Sequence, residues 1–450
     1  MKRAVHAMNI IIFILIIAGS GAVNFILQDD PDTPAGEARA VLPAPTKANI
    51  RSGEFAERFD QFYSSNFMFR EKLVSLRFRI EDLYGVSGDN QAELVTVKRG
   101  DRFAVQDLPP LEAAGKDDPA LPEKPEEGIS GTAPVPRKPE PAPPGPDQEA
   151  DAPDNRVINE ILLLEDRGME VLQYNTEAAS YYAASVNLLV SVLPEEVPVY
   201  LMVLPSRLAF ADENYRTLGA DQEEGINVMY ANIDRGVTTI DPFPTLSGHI
   251  DEYVYFRTDH HWTALGAYYL YRDFVLKAGM DPVPLDRYET AEVSGFTGSM
   301  YINTWSKKLA RNPDTIILYK PFTAHTYKVL SRGEMIEKPI LDMSYISDQN
   351  KYQIFVSSDR RLGVITTESD SDRKLLLLKD SYGNAFIPFL LPHYREIHVI
   401  DPRYYEESVI KYFREHEFDE VLLINYFALI GNVKGYARNL RNRIIDTESD

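Results

Sequence analysis

Among its 450 residues the chain has no cysteine, only two tryptophans and only eight histidines. Disulfides, thiolate nucleophiles and cysteine-ligated zinc are therefore excluded, and the compartment has to be read from other features. Positive charge is also scarce. Forty-seven Lys and Arg stand against 68 Asp and Glu, giving a formal net charge of -21 and a pI near 4.9. A nucleic-acid binder needs a basic stripe to neutralise phosphates, so no nucleic-acid partner is expected. A strongly anionic polymer would be repelled at long range unless a local basic cleft overrode the field. Apolar runs of membrane-spanning length are lacking too, with one exception.

That exception is Met8 to Leu27, almost wholly apolar, behind Lys2 and Arg3 and ahead of Asp29 and Asp30. Roughly 20 apolar residues in α-helix cross a hydrocarbon core of about 30 Å. The charge asymmetry puts the N-terminus inside and the rest outside. The reading is a cytoplasmic stretch at 1–8, a transmembrane anchor at 9–28 and a single-pass protein of the cytoplasmic membrane with its C-terminal domain extracytoplasmic. A cleaved signal peptide is the alternative, since Ala18 to Ala22 are small, although the apolar run extends past them.

The chain is rich enough in apolar residues, 44% overall with 21 Phe and 26 Tyr, to pack a core beyond the anchor. Residues 29–50 read as a tether. Residues 51–105 read as a membrane-proximal helical region, with Phe55, Phe59, Phe62 and Phe69 near helical spacing and a short hairpin around Arg99-Gly100-Asp101. Such an aromatic stripe is core or a docking face more often than a ligand box. Residues 106–155 combine clustered prolines and acidic residues with no aromatics. They cannot bury enough apolar surface to offset ordering entropy and read as a disordered linker.

The body spans 156–450. Val199 to Leu204 is a continuous apolar run closed by Pro205, as expected of a doubly covered parallel strand. Similar runs recur at Val237 to Ile240, Leu362 to Thr366, Lys374 to Leu378, Ile397 to Ile400 and Val421 to Ile424. Helical patterns fall at Ala178 to Leu193, Ala264 to Ala278, Ala385 to Leu391 and Glu406 to His416. This alternation predicts an α/β fold with a doubly wound, mostly parallel sheet. Residues 291–352 break it and read as an insertion over one end of the sheet.

Two fragments carry chemistry. Thr258-Asp259-His260-His261-Trp262-Thr263 precedes the helical run at 264, and Lys379-Asp380-Ser381-Tyr382-Gly383-Asn384 comes after the apolar run at 374. Asp259 and His261, two apart in extended backbone, would leave one face. The carboxylate would hold the imidazole in its working tautomer, and His261 would take a proton from Ser381. Ser381 would sit at the carboxyl edge of the sheet, where ligands collect, with helix-start N–H groups and the helix dipole for an oxyanion. The plain alternatives are that Asp380 or Ser381 is only an N-cap, and that Asp259, His260 and His261 bind a metal. Adjacent histidines are expected to point apart, so no metal and no cofactor is called for.

These two fragments resemble the signatures of the bacterial DHHW protein family, which is similar to the alginate O-acetylation proteins. The resemblance implies an SGNH-hydrolase-like sheet with Asp259 as orienter, His261 as base and Ser381 as nucleophile. It implies a serine-dependent O-acetyltransferase acting on a cell-surface polysaccharide or exopolysaccharide, and a membrane-bound O-acyltransferase as donor partner. A polysaccharide acetyl esterase with the same triad and a non-catalytic envelope scaffold are the alternatives. No role for His260 carries over. Softer candidates for the oxyanion or substrate are Gly383, Asn425, Arg403, Trp262 and Tyr382, with a backbone N–H from Gly295 or Gly298. Arg403 could instead pair with Asp380, Asn425 could be a turn cap, and Trp262 and Tyr382, read as a sugar-stacking wall, could be core.

Overall fold

A computed structural model describes residues 76–79, 92–97, 159–431 and 434–444. The expected anchor at 9–28, the tether at 29–50, most of the aromatic stripe and the linker at 106–155 lie outside the described residues. No helix among the described residues is long and apolar enough to cross a membrane.

In chain order the elements begin with β1 (Glu93–Val97), β2 (Asn159–Leu163), β3 (Gly168–Val171), α1 (Thr176–Val192), β4 (Val199–Leu204), α2 (Gln222–Ala231), β5 (Val237–Ile240) and α3 (Ala264–Lys277). They continue with β6 (Glu289–Phe296), β7 (Asp314–Lys320), β8 (His325–Ser331), β9 (Glu334–Glu337), β10 (Leu362–Thr367) and β11 (Lys374–Lys379). Last come β12 (Glu396–Ile400), α4 (Val409–His416), β13 (Glu420–Tyr426) and α5 (Gly435–Ile444).

Eight strands form the central sheet in the order β5-β4-β13-β11-β12-β10-β8-β9. The five from β5 to β12 are parallel; β10, β8 and β9 continue antiparallel. Every residue of β4 and β13 is buried, because helices cover both faces. Side-chain parity shows the two layers. Tyr200 pairs in register with Leu422 and meets Phe274 of α3 edge-on. Asn425, of opposite parity to Leu422, faces Tyr182 of α1. α1 and α3 therefore cover opposite faces of one mixed α/β sheet.

Two expectations need correction. The run Leu362–Thr367 is a strand, but it lies antiparallel to β12, because β8 and β9 bring the chain back along that edge. The stretch 291–352 is not a single insertion. β6 and β7 form a separate two-stranded ribbon, while β8 and β9 extend the central sheet. The turn of the hairpin expected around Arg99-Gly100-Asp101 lies outside the described residues, and of that stretch β1 alone is described. β1 pairs antiparallel with β2, Leu94 opposite Leu162, and β2 pairs in turn with β3. This small sheet holds a satellite core in which Ile161 and Leu163 pack with Met300 and Leu309.

Candidate active site

Asp259, His261 and Ser381 meet in a line. His261 Nδ1 lies 2.6 Å from Asp259 Oδ1, and His261 Nε2 lies 2.8 Å from Ser381 Oγ. All three are almost wholly buried, at 4%, 6% and 7% exposure, and all three line one cleft.

The backbone around Asp259 is a bend, not the extended strand expected. Asp259 Oδ1 accepts the His261 N–H at 2.9 Å, two residues on, which is the local bond aspartate makes in turns. The turn is pinned from both sides. Buried Asp314 takes the Thr258 N–H at 2.7 Å and the Thr258 hydroxyl at 2.6 Å. Asp259 Oδ2 accepts the Ser299 N–H at 2.7 Å. Burial pushes the Asp259 carboxyl up, but His261, His260 and the Ser299 amide outweigh it and hold it well below the usual carboxylate range. It is therefore a fixed negative charge behind the imidazole.

Ser381 opens a three-residue 3-10 turn, Ser381–Gly383, capped by Asp380, whose Oδ1 accepts the Tyr382 N–H at 2.9 Å. The N-cap is thus Asp380, and Ser381 is left facing His261. The expected helix over 385–391 shrinks to Ile387–Leu390, with Pro388 inside it, too short for an appreciable dipole. Gly383 donates to the Asp380 carbonyl at 3.0 Å and so offers no oxyanion donor. Its missing side chain matters differently, since a Cβ there would stand 2.8 Å from Lys379 Cβ. Of the turn's amides, that of Ser381 is the one not committed to Asp380. Burial, opposed by Arg403 and two backbone N–H groups, pushes the Asp380 carboxyl up to about 6.

The remaining candidates are placed elsewhere. Asn425 points to the α1 face, its Oδ1 held by the Tyr182 hydroxyl at 2.6 Å, away from the triad. Arg403 pairs with Asp401 at 2.7 Å and Asp359 at 2.9 Å, and its charge also acts on Asp380. Trp262 is fully buried, donates to the Tyr382 carbonyl at 2.9 Å and stacks on Phe386. Tyr382 is buried under Tyr426, with ring centroids 4.4 Å apart, and its hydroxyl is bonded to the His260 carbonyl. Neither ring makes a sugar wall. Gly298 gives its N–H to the Thr258 hydroxyl, and Gly295 sits at φ +71° in the bulge of β6. The two histidine rings do not point apart. Their centroids are 3.8 Å from each other, and ligand atoms of Asp259, His260 and His261 lie within 4.8 Å. In this arrangement both ring nitrogens of His261 are taken up by Asp259 and Ser381, and His260 Nδ1 is 2.7 Å from Ser299 Oγ.

The sequence reading missed several neighbours. Tyr352 stacks flat on His261, centroids 3.9 Å apart, and donates to the Ser381 carbonyl at 3.1 Å. Ser299, Asn350 and Gln353 line the same cleft, as do Ser358, Asp359 and Asn384. All but Asn384 lie outside both motifs, in or just beyond the stretch 291–352 where the expected alternation fails. The open space beside Ser381 is a cavity of about 30 Å³, lined by polar side chains and enough to admit water.

Comparison with known proteins gave no match among curated sequences. Among solved structures, a DHHW family protein from Eubacterium siraeum is 27% identical with a TM-score of 0.57; the match covers 64% of this chain and 96% of that one. Bacillus cereus PatB1, also solved with a sulfonyl adduct, is 18% identical with a TM-score of 0.53, covering 61% of this chain and 97% of that one. The O-acetyltransferase domain of Pseudomonas putida AlgJ is 12% identical with a TM-score of 0.37, covering 62% of this chain and 96% of that one. The profile of the DHHW protein family matches residues 140–400, more than half of the chain and spanning both motifs, and the chain belongs to that family.

Proposed function

We propose that this protein is an extracytoplasmic serine acyl-transfer enzyme that moves an acetyl group to a polysaccharide hydroxyl through an acyl-enzyme. The observation that carries the reading is the unbroken Asp259–His261–Ser381 chain opening on a solvent-reachable cavity. In the first half-reaction Ser381 Oγ bonds to the acyl carbon, the donor's leaving group departs, and His261 passes the serine proton to it. In the second, the acceptor oxygen takes the acyl carbon, its proton goes to His261, and the proton returns to Ser381 Oγ. Asp259 stays ionised throughout and stabilises the imidazolium. The Ser381 amide is the oxyanion donor the turn has left.

A serine-directed fluorophosphonate tests it. Attachment at Ser381 in the full chain, lost in Ser381→Ala and reduced at least 10²-fold in His261→Ala with the fold retained, is the expected result. Equal labelling of all three would leave a scaffold protein. Acetate release without transfer to any hydroxyl would leave an esterase.

The apolar segment 9–28 completes the proposal as a membrane anchor holding the domain outside the cytoplasmic membrane, where a membrane-bound O-acyltransferase would deliver the acetyl group. Recovery of the intact protein in a carbonate-washed membrane fraction, with residues beyond 150 open to external protease, is expected. A fully soluble protein sinks this part alone.

A further inference from the structure

Val356, Ser357 and Ser358 have φ of 50°, 53° and 76°, three successive non-glycine residues in the left-handed region. Such a conformation is unfavourable for L-residues and persists only where the surroundings over-determine it. Here they do. The Val356 N–H goes to the Ile340 carbonyl, the Tyr327 hydroxyl donates to the Val356 carbonyl, and Arg360 Nε donates to the Ser357 carbonyl. The Ser358 N–H is shared between the Gln353 and Phe355 carbonyls. The strained run delivers Ser358 and Asp359, both on the cleft that holds Ser381.

Asp359 is itself fixed by charge. Its Oδ1 accepts from Lys379 Nζ and Asn384 Nδ2, each at 2.8 Å, and its Oδ2 accepts from Arg403 Nη2 at 2.9 Å. Lys379 is 1% exposed and reaches this position under Gly383, where any Cβ would meet its stem. A carboxylate oxygen has two acceptor sites. Among the described residues Oδ1 has filled both with protein donors and Oδ2 has filled one, and the side chain keeps 14% exposure.

We propose that Asp359 is a specificity-determining residue for the acceptor: its open Oδ2 site takes a hydrogen bond from a second hydroxyl of a polyol, aligning the neighbouring hydroxyl on the acyl-enzyme. The inference rests on the acyl-enzyme reading above. In the step concerned, the Ser381 Oγ–acyl bond breaks and the bond from acceptor oxygen to acyl carbon forms. The reacting hydroxyl's proton goes to His261 and returns to Ser381; Asp359 takes none. Lys379 and Arg403 cancel the charge of Asp359 and Asp401 locally, so a neutral hydroxyl-rich acceptor is favoured over a cationic one.

The test uses the full chain, p-nitrophenyl acetate as donor, and methyl glucoside competing with ethanol as acceptors. The wild type is expected to acetylate methyl glucoside at least 10-fold more per mole than ethanol. Asp359→Asn is expected to lose most of that preference while the first-turnover burst of p-nitrophenol without acceptor and the fluorophosphonate labelling of Ser381 stay within about 3-fold. An unchanged preference, a wild type without preference, or a parallel fall in labelling overturns the proposal. Absent labelling of wild-type Ser381 overturns the acyl-enzyme reading itself, a separate outcome. If the Asn variant does not fold, Asp359→Glu keeps the charge opposite Lys379 and Arg403 while moving the oxygen, and the same loss of preference is expected.

Discussion

At the scale of single residues, the triad depends on an atom that is missing. A methyl group on Gly298 would fall on the carboxylate and Cβ of Asp259, with no flexible end to give way. Gly298 is not at positive φ, so the requirement is space and not backbone freedom. Gly298→Ala is therefore expected to displace Asp259 from His261 and cut fluorophosphonate labelling of Ser381 by roughly 10²-fold or more, as loss of an orienting carboxylate does. The overall fold, read by circular dichroism, should persist. Labelling at wild-type rate would mean that Asp259 is dispensable. The residue types of the triad were readable in the two motifs and in the family they resemble. The partners that hold the turn were not, because Ser299 reaches Asp259 across 40 positions and Asp314 reaches Thr258 across 56, beyond the range of any local pattern.

At the scale of elements, legibility followed burial. Strands such as β4, β11 and β13 announce themselves as apolar runs, and so does α3 by its period. The same total burial hides parity, since a strand covered on both faces shows no alternation. Asn425 was misassigned for that reason, standing one residue before the Tyr426 that abuts His260. The turn after β11 was misread as a longer helix because its apolar residues are buried all round, leaving no amphipathic stripe to test. The pairing of β1 with β2 joins segments on either side of a proline-rich stretch, and no local pattern reports it. It has a consequence for the site. Ile161 on β2 is fully buried against Met300, in the short helix Ser299–Thr304 that presents Ser299 to Asp259 and His260. Ile161→Ala is expected to cost about 2–4 kcal/mol in denaturant unfolding. Ester turnover should fall more than at a comparably buried site remote from that helix, such as Leu189 on α1. Equal losses in turnover at the two positions would separate the small sheet from the catalytic machinery.

At the scale of the whole molecule, charge and burial give stability a pH dependence with a definite sign. Asp380 has its carboxyl pushed up to about 6 by burial, above the ordinary 3.8. Its contribution to stability is fully present below about pH 4 and is lost as the pH rises through 6. Asp259 and Asp359 are held low by His261, Lys379 and Arg403 against their burial; their contributions are present above about pH 4 and lost as the pH falls further. The net charge of -21 adds self-repulsion at neutral pH that fades towards the pI near 4.9. Tm should therefore rise as the pH falls from 8 to about 5 and drop again below about 4, measured by scanning calorimetry. Salt separates the two causes, because surface repulsion is screened over about 10 Å at 0.1 M while a buried carboxyl is screened little. At high salt the slope between pH 5 and 7 should survive in the wild type and flatten in Asp380→Asn. That variant starts from a lower Tm, having surrendered acceptor capacity at the Tyr382 and Tyr426 amides. A slope that persists unchanged in Asp380→Asn would assign the pH response to other groups and leave the buried carboxyl beside the serine ionised across the neutral range.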